Sequence, residues 1–470
     1  MSLDRSIARP GLSGLSSAGE WNKFAQHVNT LWNTKAGPGL KLTKGEHWII
    51  EAESGIIPDV EKDFVPINGA VYQIYVFRPT AVGDWQINEP PESFFITGPF
   101  TTIHSESTEH IAKLTAKPGG GTTVDRPFAD VCGFQMADGF TYYQQRVSKS
   151  GDNLLVEGGL GILDLAGDPG LFFGVNKTSG TTLFAPYADI NALLPGIVNE
   201  EVMGVASYGD TIALATGFLG TVQVGITLYN TGGNPVIADA GVSSYLWNHE
   251  TLDGTYWSLM AGTDGYYFAV PAQDSGTEYP PGLRKVQATA AVGIVADAVW
   301  DAEAGSGGTT LLPGVLRQDN LFGAFTLDGW NGTAATTSIS FLSTVGTTFI
   351  TGIVGMPDIA MMPFCYGGVQ TLNAVGEVQQ WIVFGQNVDV IGSDPNILYL
   401  LRLDYSPTTL TILTGFDSYV SDCKFFRRKN NNLTDQFIVV GGFTTYQGQP
   451  AVGMVFIDQF GNRLADLEWP

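Results

Sequence analysis

The chain has 470 residues, room for one large repeat domain or two to three ordinary ones, with 59 glycines, 11% aromatic residues and only 15% charged residues. That mixture favours many short strands joined by tight turns. The net charge of −23 belongs almost wholly to residues 64–470, which hold 16 Lys/Arg against 38 Asp/Glu, so the general surface repels phosphate backbones and anionic lipid and excludes nucleic acid and membrane as its partners.

At the N-terminus, MSLDRSIARPGLSG lacks the apolar core of a secretion signal, and no stretch approaches ~18 consecutive apolar residues. A soluble chain made without cleavage or membrane insertion is expected. Residues 17–34 form the one convincing helix of the sequence, with Trp21, Phe24, Ala25, Val28, Leu31 and Trp32 on one face. Ser17 and Glu20 make a capping-box pattern at its start, and Gly37 and Pro38 stop it. Its apolar face needs a cover, either the body of this protein or another chain, which makes Trp21, Phe24, Val28, Leu31 and Trp32 candidate partner-docking residues. An extended arm, residues 36–63, follows; its run from Trp48 to Glu51 reads as a strand able to pair with a neighbour.

From residue 64 onwards the chain repeats itself. QFIVVGGFTTYQGQPAVGMVFIDQFGNRLADL (436–467) matches SFFITGPFTTIHSESTEHIAKLTAKPGGGTTV (93–124), with Gly441 and Phe443 aligned on Gly98 and Phe100. Intermediate copies place Leu160, Phe218, Pro271, Phe325 and Asn387 at the reference position, at spacings of 60, 58, 53, 54, 62 and 56 residues. Seven contiguous units exclude a string of unrelated domains. Within a unit, runs such as Val71-Gln73-Tyr75-Phe77 read as half-buried strands, and the glycine-containing steps between them as hairpin turns. Each unit therefore offers three to four antiparallel strands and no helix. Such sheets must stack on one another, and radial closure leaves only short protected edges, so the expected fold is an all-β, seven-bladed (six to eight) β-propeller behind the helix and arm. Cys132, Cys365 and Cys423 are too few and too scattered for a disulfide framework or zinc site, and each is expected as a small buried residue in the first strand of its unit.

The usual catalytic and cofactor fingerprints are missing from the sequence, so no enzyme, cofactor or metal is expected. His104, His110, Glu106 and Glu109 cluster at a hairpin tip that reads as an exposed loop, and Glu89/Glu92 and Asp301/Glu303 are carboxylate pairs by composition only. The basic cluster Lys424, Arg427, Arg428 and Lys429 reads as a solvated loop before a strand. If the propeller binds glycan, the contact set would be Trp247, Trp257, Trp300, Trp330 and Trp381 in shallow pockets between blades. A polysaccharide hydrolase or lyase would instead need acidic residues converging on the axial mouth.

Two resemblances bear on function. VVGGFTTYQGQPAVGMVFIDQFGNRL (439–464) resembles the Gly-Gly-x-Phe-Thr propeller repeats of microbial surface and phage proteins, fading where Pro271, Ala324 and Gln386 replace glycines. GLSGLSSAGEWNKFAQHVNTLWNTKAGPGLKLTKGEHWIIEA (11–52) is similar in layout to N-terminal segments of tailed-bacteriophage structural proteins. The resemblance implies a virion protein of the tail, neck or fibre apparatus. It would be attached to other virion proteins through the helix and arm, be present in several symmetric copies, and display the propeller for assembly or to a host receptor or glycan.

Overall fold

The computed structural model describes residues 40–44, 48–52, 65–78, 86–87, 91–118, 120–136, 147–158, 162–168, 170–185, 200–218, 222–234, 244–249, 259–261, 265–270, 282–289, 293–303, 321–326, 338–343, 346–350, 363–372, 378–386, 396–403, 409–429 and 434–469. The expected helix 17–34, with Trp21, Phe24, Val28, Leu31 and Trp32, lies outside them. The chain divides into two compact units, Met1–Asp63 and Phe64–Pro470.

In the first unit, strand Trp48–Ala52 pairs antiparallel with Leu40–Lys44, from Leu40 opposite Ala52 to Lys44 opposite Trp48. The expected strand exists, but its partner is the preceding segment of its own chain. A strand three residues away is found at a far smaller loss of chain entropy than one on another molecule.

Among the described residues, the second unit is all β apart from one four-residue helix, Arg126–Ala129, whose N-cap Asp125 accepts the Phe128 amide. Among the described residues, seven sheets of three to five strands follow one another along the chain. Sheet one holds Gln73–Phe77, Ser93–Thr97, Ile111–Ala116 and Thr122–Val124; sheet two holds Val147–Ser150, Asn153–Glu157, Phe172–Asn176 and Thr182–Phe184. Sheet three runs from Glu200–Tyr208 to Ser244–His249, sheet four from Leu259–Ala261 to Gly293–Glu303, and sheet five from Leu321–Thr326 to Gly346–Ile350. Sheet six comprises Pro363–Leu372, Val378–Gln386, Leu398–Leu403 and Thr409–Leu413, with Gln86–Ile87 on its edge; sheet seven comprises Val420–Lys429, Thr434–Gly441 and Met454–Asp458. Within each sheet, strands consecutive in the chain pair antiparallel, because the connections are short hairpins.

Three turns that follow strands share one chemistry. Asp164, Asn230 and Asp458 each accept, through Oδ1, the amides two and four residues on, and Gly167, Gly233 and Gly461 supply the positive φ (87°, 77° and 81°) that closes the turn.

The first strand of sheet one, Gln73–Phe77, is buried on both faces rather than half-buried. Ile74, Tyr75, Val76 and Phe77 are all 6% exposed or less. Alternation persists, but it sorts residues between two cores: Ile74, Val76, Phe94 and Ile96 pack with Ile438, Val440 and Phe456 of sheet seven, whereas Tyr75, Phe77 and Phe95 pack with Leu154, Val156 and Phe173 of sheet two. The same sorting sends Leu155 and Phe172 towards sheet three, and Phe437, Val439 and Val455 towards sheet six. Each such side chain contributes about 1.5–3 kcal/mol, and a polar residue on either face would lose it. That is why apolar residues run consecutively in Phe94-Phe95-Ile96. The first strands meet in succession, sheet six against seven, seven against one, one against two, two against three and three against four. The end of the chain therefore packs on the beginning of the unit.

Lys424, Arg427, Arg428 and Lys429 lie inside the strand Val420–Lys429, not in a loop. Lys424 pairs with Asp422 at 2.9 Å and Arg427 donates to the Glu468 carbonyl, so local partners offset the cost of placing cations in a sheet. Cys423 occupies the first strand of sheet seven as expected, and Cys365 lies in that of sheet six. Cys132 sits instead in the turn between the short helix and strand Phe134–Met136, where its amide donates to the Phe128 carbonyl.

Candidate functional site at the junction of sheets seven and one

The best-defined constellation of polar groups joins the first strands. Ser421 Oγ donates to the Val71 carbonyl at 2.7 Å, the Ile74 amide donates to Asp422 Oδ2 at 3.1 Å, and Arg78 Nη2 donates to the carbonyls of Phe425 and Phe426 at 3.0 and 2.6 Å. Onward, the Val147 amide donates to Gln73 Oε1, Lys149 Nζ to the Arg78 carbonyl, Ser148 Oγ to the Val205 carbonyl, and the Tyr208 amide to the Tyr266 hydroxyl. At least one side-chain-to-backbone contact thus staples each described junction from sheet seven to sheet four.

Arg78 is fully buried and Asp422 is 3% exposed. Burial pushes the Asp422 carboxyl up, opposed by Lys424 and by the Ile74 and Cys423 amides. Tyr266 is likewise raised by burial. The thiols of Cys132 and Cys423 are raised mainly by burial and secondarily by Asp164 and Asp422, so both stay protonated at neutral pH and are poor nucleophiles.

Outward from this junction stand two hairpins of the same construction. In sheet one, Thr102–Ile103 pairs with Glu106–Ser107; in sheet seven, Thr445–Tyr446 pairs with Gln449–Pro450. Asn68 Oδ1 accepts the amides of Thr101 and Thr102 while its Nδ2 donates to Thr101 Oγ1. Asp417 Oδ1 accepts those of Thr444 and Thr445, and Thr444 Oγ1 donates to its Oδ2 at 2.5 Å. Burial would raise the Asp417 carboxyl, but the Thr444 hydroxyl and the Thr445 and Thr444 amides bring it down to about 2. Beneath each hairpin a phenylalanine, Phe100 or Phe443, is fully buried. Gly98 and Gly441 let the preceding strand approach: a Cβ would collide with the Ala70 carbonyl in one and the Tyr419 carbonyl in the other. The repeat aligned in the sequence is therefore a clamp, an apolar plug and a glycine contact, and the clamp residue was missed because Asn68 and Asp417 differ in type and precede the aligned segments.

Of the other sequence-derived residues, Trp381 is 2% exposed, donates from Nε1 to Asp435 Oδ2 at 2.6 Å, packs edge-on against Phe437 and carries the Arg402 guanidinium over its ring. It belongs to the core between sheets six and seven, not to a glycan pocket, because the neighbouring sheet covers the ring. Trp247 and Trp300 lie in strands Ser244–His249 and Gly293–Glu303; Trp257 and Trp330 fall outside the described residues. His110 Nδ1 faces the Gly98 carbonyl, Glu106 pairs with Arg126, and Glu92 pairs with Lys177 at 2.9 Å, which lies 4.2 Å from the Phe77 ring centroid. Glu89 is outside the described residues, and Asp301 and Glu303 lie in strand Gly293–Glu303. Among the described residues no group of three or more His, Cys, Asp or Glu could hold a metal ion, and no helix is long and apolar enough to cross a membrane.

No family model and no curated protein matches the chain. Among solved structures it is similar to a Synechocystis apocarotenoid oxygenase variant (9% identity, 84% of this chain and 90% of that one, TM-score 0.35). It is also similar to a prolyl endopeptidase (12%, 94% and 62%, TM-score 0.29) and a Bombyx mori β-fructofuranosidase (8%, 83% and 91%, TM-score 0.24). At such TM-scores none of these likenesses bears on the activity of this chain.

Proposed function

We propose that the seven sheets are blades of a β-propeller and that the chain is a structural component of a tailed-bacteriophage particle, in the tail, neck or fibre apparatus, working by assembly rather than catalysis. The observation that carries the propeller reading is the packing of sheet seven on sheet one through Ser421, Asp422 and Arg78, since the two ends of a blade array meet when it closes into a ring. The particle role is supported by the likeness of residues 11–52 to phage attachment segments and of residues 439–464 to Gly-Gly-x-Phe-Thr repeats. In this reading the N-terminal unit docks through Trp21, Phe24, Val28, Leu31 and Trp32, and the blades present their loops.

The paired hairpins suit a host glycan as the displayed target, because Ser105, Ser107, Gln447 and Gln449 offer neutral hydroxyl and amide groups. Deletion of residues 1–40 tests attachment: the truncated protein should fold and be missing from particles, and normal occupancy overturns the anchor. Binding to a glycan array that is lost on replacing the Gln447–Gln449 tip would support display; unchanged binding would place the contact elsewhere.

A further inference from the structure

Asn68, the clamp of the first hairpin, is followed by Gly69, the residue type whose backbone nitrogen is least shielded. The glycine has a packing reason of its own, since a Cβ there would stand 3.1 Å from the Phe100 Cα. Gly69 lies in a bend, and its amide donates to no group among the described residues. The neighbouring Asn68 side chain is exposed. A free backbone nitrogen beside a solvent-reached carboxamide is the arrangement from which an asparagine closes on its own main chain.

The clamp bonds arrange the carboxamide for that reaction. Oδ1 accepts the Thr101 and Thr102 amides at 2.8 and 2.9 Å. These two N–H groups draw electron density from Cγ and stand beside the oxygen that becomes negative when a nucleophile adds there. Nδ2, the group that must leave, lies 2.8 Å from Thr101 Oγ1. That hydroxyl accepts in the resting state, but a hydroxyl turns its proton to suit its partner. Once addition leaves the nitrogen a lone pair, Thr101 can supply the proton it departs with. In the last copy the corresponding residue is already a carboxylate, Asp417, and Ser418 follows it.

We infer that Asn68–Gly69 is a self-modification site, at which the folded hairpin converts its own clamp from amide to carboxylate. The Gly69 nitrogen gives its proton to solvent and bonds to Asn68 Cγ; the Cγ–Nδ2 bond breaks, and ammonia leaves with a proton from the Thr101 hydroxyl, which solvent restores. Water then opens the cyclic imide at either carbonyl, giving aspartate or isoaspartate. Aspartate keeps the acceptor oxygen in place, and Asp417 shows such a clamp on Thr444 and Thr445. Isoaspartate adds a carbon to the main chain and carries the carboxylate off the two amides.

Peptide mass spectrometry and ammonia release on the full native chain, incubated in mildly alkaline buffer, test the site. Asn68 should convert while Asn462, equally exposed and bonded through Nδ2 to Asp458 but followed by Arg463, stays an amide. Conversion should be faster in the native chain than in urea. Thr101→Val, which keeps the backbone donor, should slow it by about 10²-fold, and Thr101→Ser should restore it. Asn68→Asp should leave the Thr101 and Thr102 amides protected from exchange. A native rate at or below the rate in urea, equal conversion at Asn462, or an undiminished rate in Thr101→Val overturns the inference. The native-against-urea comparison on the parent chain decides it should Thr101→Val fail to fold.

Discussion

The first and last sheets carry the same hairpin in two chemistries. Asn68 clamps Thr101 and Thr102 where Asp417 clamps Thr444 and Thr445. The backbone turns agree as well: His104 and Ser105 stand at φ of 51° and 64°, Gln447 and Gly448 at 51° and 73°, and His110 at 66° where Gly453 stands at 72°. The last copy places glycine at two of these three left-handed positions, the first copy at none. Fold demands the conformation in both; the last copy leaves side-chain strain at Gln447 alone, the first at all three positions. The first copy tolerates that strain because the clamp, the buried Phe100 and the contact with sheet seven over-determine the turn.

The largest expected effect lies in what the copies share. Phe100→Ala and Phe443→Ala should each lower stability by about 3–5 kcal/mol in denaturant unfolding, since both side chains are fully buried; a large loss from one alone would break the equivalence. Gly98→Ala and Gly441→Ala should each cost about 1–3 kcal/mol by forcing the Ala70 or Tyr419 carbonyl away. Thermal melts of the two variants should shift alike.

The comparison sharpens where the copies differ. Gly448→Ala should cost about 1 kcal/mol, because an added Cβ meets nothing within 4 Å and only the positive φ opposes it. Ser105→Ala, already bearing a Cβ at the same turn position, should change stability by about 0.5 kcal/mol or less. Smallest of all, Asp417→Asn should stay within about 0.5 kcal/mol of the parent, since Asn68 makes the same clamp.

Acid separates the two clamps further. The folded carboxyl of Asp417, at about 2, lies below the ordinary value of about 3.9. Its contribution is therefore complete above pH ~4 and is lost as pH falls through about 2, while Asn68 does not titrate. Amide exchange at Thr444 and Thr445 should accelerate between pH 4 and 2 relative to Thr101 and Thr102, after correction for intrinsic rates. Asp417→Asn should abolish the difference.

Much of this arrangement was legible in the residues themselves. Gly98-x-Phe100 and Gly441-x-Phe443 aligned because a close backbone approach admits only glycine and a deep pocket selects phenylalanine, two demands that leave the same letters at the same spacing. The second strand of a sheet was readable as an apolar run in Ser93–Thr97, Asn153–Glu157, Thr211–Phe218 and Thr434–Gly441. Clamp identity was not readable, since an amide and a carboxylate perform one task.

The sequence alone determined the β class, the repeat of 53 to 62 residues and the turn glycines, because these depend on local φ, on alternation and on side-chain volume. Tertiary structure decided which face of each strand meets which neighbour, that Trp381 is enclosed, and that Gln86–Ile87 pairs with the edge of sheet six. Those depend on what approaches from residues 54 to 348 positions away, and no local pattern encodes the approach. The paired hairpins illustrate both halves: their spacing and glycines stand in the sequence, whereas the meeting of sheet seven with sheet one, on which they are set, exists only once the chain has folded back on its start.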